Sequence, residues 1–489
     1  MPQKGTFVPI VFSTRESPMS QYRLHAFSDD ALGTDDATAL AERLRKGHIT
    51  TKDVTEAAIA RLQRVNPVIN GLALETFIDA RDRANEGGFN GFFSGVPSLI
   101  KDNIDLAGLP TGHGSAAVGA KPMKKTSVLA KQYLAQGFNI LGKTTLPAFG
   151  FTASTEWAQG SSTRNPWHLK YSAGGSSGGS AALVAAGAVP IAHGNDGGGS
   201  IRIPAAACGL VGLKSTRGRL VTQEAGKALP INIISDGVLS RTVRDTANFF
   251  AEAEKYYRNR KLPPIGHVRR PGKQRLRIGL MVDSIAGDAT CPQTRAAVEA
   301  TGKRLAGLGH HVDVAHIDLP RRFVDDFLLY WAMLAFFVSK FGRVLFPQGF
   351  DSKQLDPLSQ GLARYYRQRF VRTPGMLRQL KQSQAHYAQV FSQYDVVLTP
   401  VLAHTTPELG YLGADVDFDT QLERLLRYST FTPANNASGS PGLSLPLGKA
   451  ENGLPIGVQL NGRLGDERTL IELAFELEEQ QPFRHLGQC

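Results

Sequence analysis

Cysteine is scarce in this chain. Cys208, Cys291 and Cys489 are the only three in 489 residues, too few and too scattered for a disulfide framework. That fits a reducing compartment, and a cytoplasmic location is expected. No apolar run approaches the ~20 residues of a bilayer span, so no membrane association is expected. The first residues hold only the short Val8-Pro9-Ile10-Val11-Phe12, without a convincing h-region of a secretion signal. No H-E-x-x-H and no C-x-x-C occurs, so neither a metal nor a cofactor is expected. No internal repeat or low-complexity tract is found. Acidic residues number 43 against 55 basic ones, for a net charge of +12. Such a balance can mark a nucleic-acid partner. Here the charge is dispersed. Its densest stretches, Arg258 to Arg277 and Arg364 to Lys381, read as polar helix faces or loops, and no nucleic-acid partner is expected.

Glycine, by contrast, is plentiful, and its densest clusters hold serine. Gly174-Gly175-Ser176-Ser177-Gly178-Gly179-Ser180 is followed by Asp196-Gly197-Gly198-Gly199-Ser200-Ile201-Arg202. Glycine accepts backbone dihedrals closed to other residues and lets a ligand approach the main chain. Successive N–H groups in such a loop can converge on a developing oxyanion. A serine ending the loop is a candidate nucleophile. One glycine-rich loop is commonly structural; two, each with serine, are harder to dismiss. Between them, Ala181-Ala182-Leu183-Val184-Ala185-Ala186 has high helix propensity. A short helix there, then the extended Val189-Pro190-Ile191-Ala192, returns the second loop beside the first.

The segment Gly174 to Arg219 resembles the defining motif of the amidase signature family of serine hydrolases. It includes Ser200-Ile201-Arg202-Ile203-Pro204 and Cys208-Gly209-Leu210-Val211-Gly212-Leu213-Lys214. Upstream, Gly95-Val96-Pro97-Ser98-Leu99-Ile100-Lys101-Asp102-Asn103 is similar to the family's lysine motif. Downstream, Gly442-Leu443-Ser444-Leu445-Pro446 and Gly453-Leu454-Pro455-Ile456-Gly457-Val458-Gln459-Leu460 are similar to its closing strands. The resemblance runs from about Asp36 to about Glu479, and its wording around His193-Gly194-Asn195-Asp196 is nearest to bacterial amidases of the cyclic nylon-dimer hydrolase type. It implies amide hydrolysis by a Ser-Ser-Lys triad: Ser200 as nucleophile, Ser176 as bridging serine, Lys101 as base. Main-chain N–H groups of Gly197, Gly198, Gly199 and Ser200 match the oxyanion loop, and a cis peptide bond is implied between Gly175 and Ser176. This chain departs from the family in Gly197, where Thr or Ile is common, and in Ser215, where Pro is usual. A small-molecule carboxamide is the implied substrate, with ester or carbamate cleavage as a side activity, and a homodimer is the suggested assembly.

The chemistry is self-consistent. An amide has a poor leaving group, and covalent catalysis splits its hydrolysis into acylation and deacylation. Serine needs a base, and lysine serves if burial destabilises its ammonium. The apolar run before Lys101 suits a buried strand. Asp196 is expected to accept main-chain N–H bonds and hold the glycine loop; Arg202 is expected to pair with it or with another carboxylate. Asp102 and Asn103 either orient the site or begin a turn. Cys208, among Pro204-Ala205-Ala206-Ala207, reads as a small buried hydrophobe.

Other motifs compete. Gly174 to Gly178 satisfies G-x-S-x-G, the nucleophile elbow of α/β-hydrolases, which would make Ser176 the nucleophile with a histidine such as His404 or His485. That leaves the second serine loop unexplained. Ser98-Leu99-Ile100-Lys101 matches S-x-x-K without its S-D-N and K-T-G partners, and Gly209 to Ser215 lacks the Gly-Lys of a P-loop. The family also contains the glutamine-hydrolysing subunit of a tRNA-dependent amidotransferase, which stands as the alternative role.

The chain reads as a single large α/β domain with a mixed central sheet covered by helices on both faces. Residues 1–30 are expected to be a loosely attached extension, with Met19 as an alternative start, and 31–489 the domain. Helices are expected over Asp36–Lys46, Thr51–Val65, Ser127–Gln136, Thr242–Glu254 and Thr294–Leu308, and through most of 323–393. Strands are expected at Val96–Ile100, Asn139–Thr144, Leu276–Met281, His311–Val314 and Asp395–Pro400. The loop Phe149–Ser172, with Trp157 and Trp167, is expected to arch toward the site. The aromatics Phe323, Phe327, Tyr330, Trp331, Phe336 and Phe337 have spacing more typical of core than of a binding site, while the resemblance implies that the variable helices and loops here help wall the substrate pocket.

Overall fold

In the computed structural model, which describes residues 22–157, 162–284, 287, 289–320 and 322–488, the chain is built on an eleven-stranded sheet. One flank holds β1 (Leu72–Glu75), β2 (Pro97–Lys101) and β3 (Asn139–Thr144). A separate two-stranded hairpin is made by β4 (Arg164–Asn165) and β5 (His168–Ser172). The centre holds β6 (Ile191–Asp196), β7 (Val211–Lys214) and β8 (Ser235–Ser240). The other flank holds β9 (Arg277–Leu280), β10 (His311–Val314), β11 (Val396–Pro400), β12 (Gly442–Lys449) and β13 (Pro455–Gly462). The spatial order is β1-β3-β2-β6-β8-β7-β12-β13-β11-β9-β10. The runs β3-β2-β6 and β11-β9-β10 are parallel and the remaining pairs antiparallel. The sheet is therefore mixed, with helices against its faces.

The central strands read as near-continuous apolar or small runs because both their faces are covered. Every residue of β2, β6 and β13 is buried. Because β2 and β6 are parallel neighbours, with Ser98 opposite Ile191 and Leu99 opposite Ala192, their C-terminal ends emerge side by side. That edge carries Lys101 at the end of β2 and Asn195-Asp196 at the end of β6. Open α/β sheets commonly place ligands at this edge.

Two short buried helices complete the floor. Gly178–Ala185 follows the first serine loop and Arg202–Cys208 follows the second. Over the site lies a helical lobe, Phe323–Leu345, Pro357–Arg367 and Thr373–Gln389, with its own core around Leu329, Tyr330, Met333, Leu362, Met376 and Leu380.

Three expectations need revision. Residues 22–30 are not loose: the Leu24 N–H donates to Pro166 O (3.0 Å), Ala26 N–H to Ala186 O (2.7 Å), and Asp30 pairs with Arg61 at 2.6 Å. Met19 and the Val8–Phe12 stretch lie outside the described residues. Phe323–Leu345 is, by length and composition, apolar enough to cross a membrane, which the sequence reading did not anticipate. Its Leu329, Tyr330, Ala332 and Met333 are instead buried in the lobe. Among the described residues of the loop Phe149–Ser172, Gly150 reaches the site, where a Cβ would stand 2.9 Å from Ser176 Oγ, and Trp167 does not. The Trp167 indole donates to Cys208 O (2.8 Å) and packs with Leu454 and Leu486.

Candidate active site

Lys101 is fully buried at the end of β2, and its Nζ lies 2.7 Å from Ser176 Oγ and 2.7 Å from Asn195 Oδ1. Among the described residues no carboxylate forms an ion pair with it. Burial pushes the ammonium down to about 7, and the more distant carboxylates of Asp236 and Asp196 pull only partly the other way. A lysine poised near neutrality against a hydroxyl can exchange a proton with it. Behind it, His193 Nδ1 accepts the Lys101 N–H (3.4 Å), which leaves Nε2 to donate to Asp236 (3.3 Å).

Ser176 follows a cis peptide bond from Gly175. The neighbouring Ser177 ties the two serine loops together. Its N–H donates to Ser200 O (3.3 Å) and its hydroxyl to Asn195 O (3.3 Å). The opposite wall is equally close: at Gly150, whose φ is +74°, a Cβ would stand 2.9 Å from Ser176 Oγ. Both serines are nearly buried, Ser200 at 8% exposure and Ser176 at 3%.

The glycine loop hangs on a buried polar network. Asp196 Oδ1 accepts the Gly199 N–H at 2.7 Å, and Oδ2 accepts that of Ile201 at 3.2 Å. Arg202 grips the same carboxylate with Nε (2.9 Å) and Nη2 (3.0 Å). The remaining guanidinium hydrogens go to Asn435 Oδ1 (2.9 Å), Gln459 Oε1 (3.0 Å) and Asn436 Oδ1 (2.7 Å), so every donor of the fork is used. Burial raises the Asp196 carboxyl, but the Arg202 guanidinium outweighs it and holds the group at about 2. Thr432 Oγ1 donates to Gly198 O (2.5 Å). Gly199 has φ +135°, and a Cβ there would sit 2.4 Å from Thr432 Oγ1, so the loop closes only with glycine.

The geometry refines the sequence expectations. Gly199 does not offer its N–H to a ligand, because Asp196 takes it. The N–H groups of Gly197, Gly198 and Ser200 have no partner among the described residues. Ser176 does not top a strand of the main sheet, since β5 belongs to the separate hairpin. Its polar partner is Lys101, whereas His404 packs on Tyr428 (ring centroids 4.7 Å) and His485 on Phe27 (4.8 Å). The nucleophile-elbow context is therefore missing. Asp102 pairs with Lys143 (2.7 Å) and accepts the Gly112 N–H (3.0 Å), which fixes the loop after β2. Cys208 is buried, its thiol donates to Ala173 O (3.4 Å), and burial pushes its pKa up. Among the described residues no group of three or more His, Cys, Asp or Glu could hold a metal ion.

Sequence reasoning missed Asn195, Thr432, Asn435, Asn436 and Gln459 as site residues. For Phe327 and Trp331 the spacing favoured core, with a pocket wall as the reading the resemblance kept open. Both are half-buried, and both lie against the glycine loop: a Cβ on Gly197 would be 3.4 Å from the Trp331 ring, and one on Gly198 3.8 Å from Phe327.

Residues 53–471 match the Amidase family. The chain is 48% identical over 466 residues to a protein of Mycobacterium tuberculosis (strain ATCC 25618 / H37Rv) named as an amidase, AmiC, covering 95% of this chain and 98% of that one. It is 33% identical to the 6-aminohexanoate-cyclic-dimer hydrolase of Pseudomonas sp. (strain NK87), covering 92% and 95%. A solved structure of 6-aminohexanoate cyclic dimer hydrolase complexed with substrate superposes with a TM-score of 0.82 at 30% identity, covering 92% of this chain and 97% of that chain. With its mixed sheet, its two serine loops and these relatives, the chain belongs to the amidase signature family, and it is a hydrolase of carbon–nitrogen bonds other than peptide bonds.

Proposed function

We propose that this amidase works through a Ser200–Ser176–Lys101 triad and an acyl-serine intermediate. The observation that carries the reading is the buried Lys101 Nζ, 2.7 Å from Ser176 Oγ and held near neutrality by desolvation. Neutral Lys101 accepts the Ser176 proton while Ser176 accepts that of Ser200, and Ser200 Oγ attacks the amide carbon. The oxyanion is held by the N–H groups of Gly197, Gly198 and Ser200; losing one such donor costs about 10²–10³ in rate in a well-studied serine protease. The C–N bond then breaks, and the same proton returns from Lys101 through Ser176 to the departing nitrogen. Water attacks the acyl-serine next. Its proton passes to Ser176 and on to Lys101 as the acyl–oxygen bond breaks, and Ser200 recovers a proton along the same chain. Asp196 and Arg202 support the loop and carry no proton.

The substrate is a small-molecule carboxamide, and likeness to a cyclic-dimer hydrolase puts cyclic oligoamides among the compounds to assay. Esters share the acylation step but need no protonated amine to leave. A matched amide and ester pair tests the relay. Ser176→Ala is expected to lower kcat/KM for the amide by about 10²–10⁴, the usual range for acid–base catalysis, and for the ester by clearly less. Equal losses, or none, would sink the relay.

A further inference from the structure

We infer that a cavity between the helices Phe323–Leu345 and Thr373–Gln389 binds a phosphate group that still carries a proton. The cavity has a volume of about 220 Å³ and is lined by Arg322, Asp326, Gly375, Arg378, Gln379 and Gln382. None of these belongs to the Ser200 site. Its surroundings favour an anion. Arg322 and Arg378 line it, and Arg372 Nη2 lies 3.7 Å from Asp326 Oδ1. Arg372 Nε is buried and has no hydrogen-bond partner among the described residues. Arg372 and Arg378 belong to the basic stretch Arg364–Lys381, which plays no part in the proposed hydrolysis. Gly375 stands in the first turn of the 17-residue helix Thr373–Gln389, which no side chain caps and whose first turn holds no acidic residue. First-turn N–H groups lack an intrahelical partner and lie at the positive end of the helix dipole, so such a turn readily takes an anion. The space before it is open: a Cβ built on Gly375 would meet no atom within 4 Å.

Asp326 selects among anions. Its side chain is 2% exposed, yet its Oδ2 is buried with no hydrogen-bond partner among the described residues. Its Oδ1 lies 4.0 Å from Arg322 and 3.7 Å from Arg372, both beyond hydrogen-bond length. A desolvated carboxylate oxygen without a donor is costly, and a bound group that brings an O–H relieves that cost. Near pH 6 a phosphate keeps a proton that it can donate to Oδ2, while its other oxygens accept from the arginines. Sulfate has nearly the same size and shape but no proton to offer, and it meets Asp326 as a like charge. Free phosphate and the phosphate of a monoester share this chemistry.

Isothermal titration calorimetry of the whole chain near pH 6, at matched ionic strength, compares inorganic phosphate, sulfate and glycerol 3-phosphate. Phosphate is expected to bind at least about tenfold more tightly than sulfate, the worth of one hydrogen bond to a charged group. Asp326→Asn puts an amide donor where the acceptor stood, so sulfate should gain about tenfold and the preference should vanish. That variant is read by a gain, which a misfolded chain could not imitate. Arg378→Gln should weaken phosphate by about tenfold or more. Glycerol 3-phosphate bound as tightly as phosphate would make the occupant a phosphate monoester, and its exclusion would make it the free ion; the site stands in either case. Binding of neither phosphate nor its ester would overturn the site. So would equal affinity of the unaltered chain for phosphate and sulfate, a preference that survives Asp326→Asn, or phosphate binding unmoved by Arg378→Gln.

Discussion

Asp196 and Arg202 form a two-pronged ion pair with no exposure of either side chain: Nε meets Oδ2 at 2.9 Å and Nη2 meets Oδ1 at 3.0 Å. The pair bridges the end of β6 to the first turn of the helix after Ser200. Because Asp196 also accepts the Gly199 N–H, the pair sets the path of the loop that presents Ser200. A buried pair is not a source of net stability by default, since desolvation offsets the attraction. Here its return is geometric: a loop of three glycines, free to take many paths, is held to one.

Breaking this pair should be costly. Arg202→Met leaves the Asp196 carboxylate buried without its partner and is expected to lower unfolding free energy by about 3–5 kcal/mol. Arg202→Lys should recover little, because an ammonium cannot reproduce the fork that serves Asp196, Asn435, Asn436 and Gln459. Urea denaturation of both variants checks the expectation. A midpoint unchanged from wild type in Arg202→Met would show the network to be dispensable.

The lysine gives a pH dependence with a definite sign. Activity requires neutral Lys101, so kcat/KM should rise through a limb near 7, and Lys101→Ala should abolish both the limb and most of the activity. Stability should move the same way. Between about 7 and the ordinary lysine value of 10.5, the unfolded chain holds a proton that folded Lys101 has given up. Stability contributed by this group therefore rises with pH across that window and is flat below it, for a total on the order of a few kcal/mol. Lys101→Met should lack this slope, which is read by comparing wild type and variant across the window. A limb near pH 6–7 that persists in Lys101→Met would assign the titration elsewhere.

Asn195 is expected to act through Lys101. Its Oδ1 accepts from Nζ at 2.7 Å, which orients the amine and favours its protonated form. Asn195→Ala should lower kcat about 10- to 100-fold, the worth of a buried hydrogen bond to a charged group. Without this acceptor the lysine loses its proton more readily, so the activity limb should shift to lower pH. A lower kcat with the limb unmoved would leave Asn195 a purely structural role.

Legibility followed the range of the interaction. The strand under Lys101 was plain in the sequence because a central parallel strand is a continuous apolar run. The helix Gly178–Ala185 was plain from its alanines. Asn195 was hidden because its partner arrives from β2, a neighbour in the sheet but remote in sequence. Gly199 was assigned a free N–H because nothing local reveals that the Asp196 carboxylate folds back to take it. Phe327 and Trp331 sit at helical spacing on a largely apolar segment, a pattern shared by core faces and pocket walls. Only the packing of that helix over Gly197 and Gly198 separates the two. Residues 22–30 carry no periodic pattern, and their docking depends on Pro166, Ala186 and Arg61, all supplied by later chain.

The most direct measurement is labelling of the whole chain with a fluorophosphonate, followed by mass-spectrometric mapping of the adduct in wild type and in Lys101→Ala. Adduct on Ser200, formed far more slowly in Lys101→Ala, is the result expected from a Ser200 nucleophile activated through Ser176 and Lys101. Adduct on Ser176 with Ser200 untouched would contradict it and reverse the roles of the two serines.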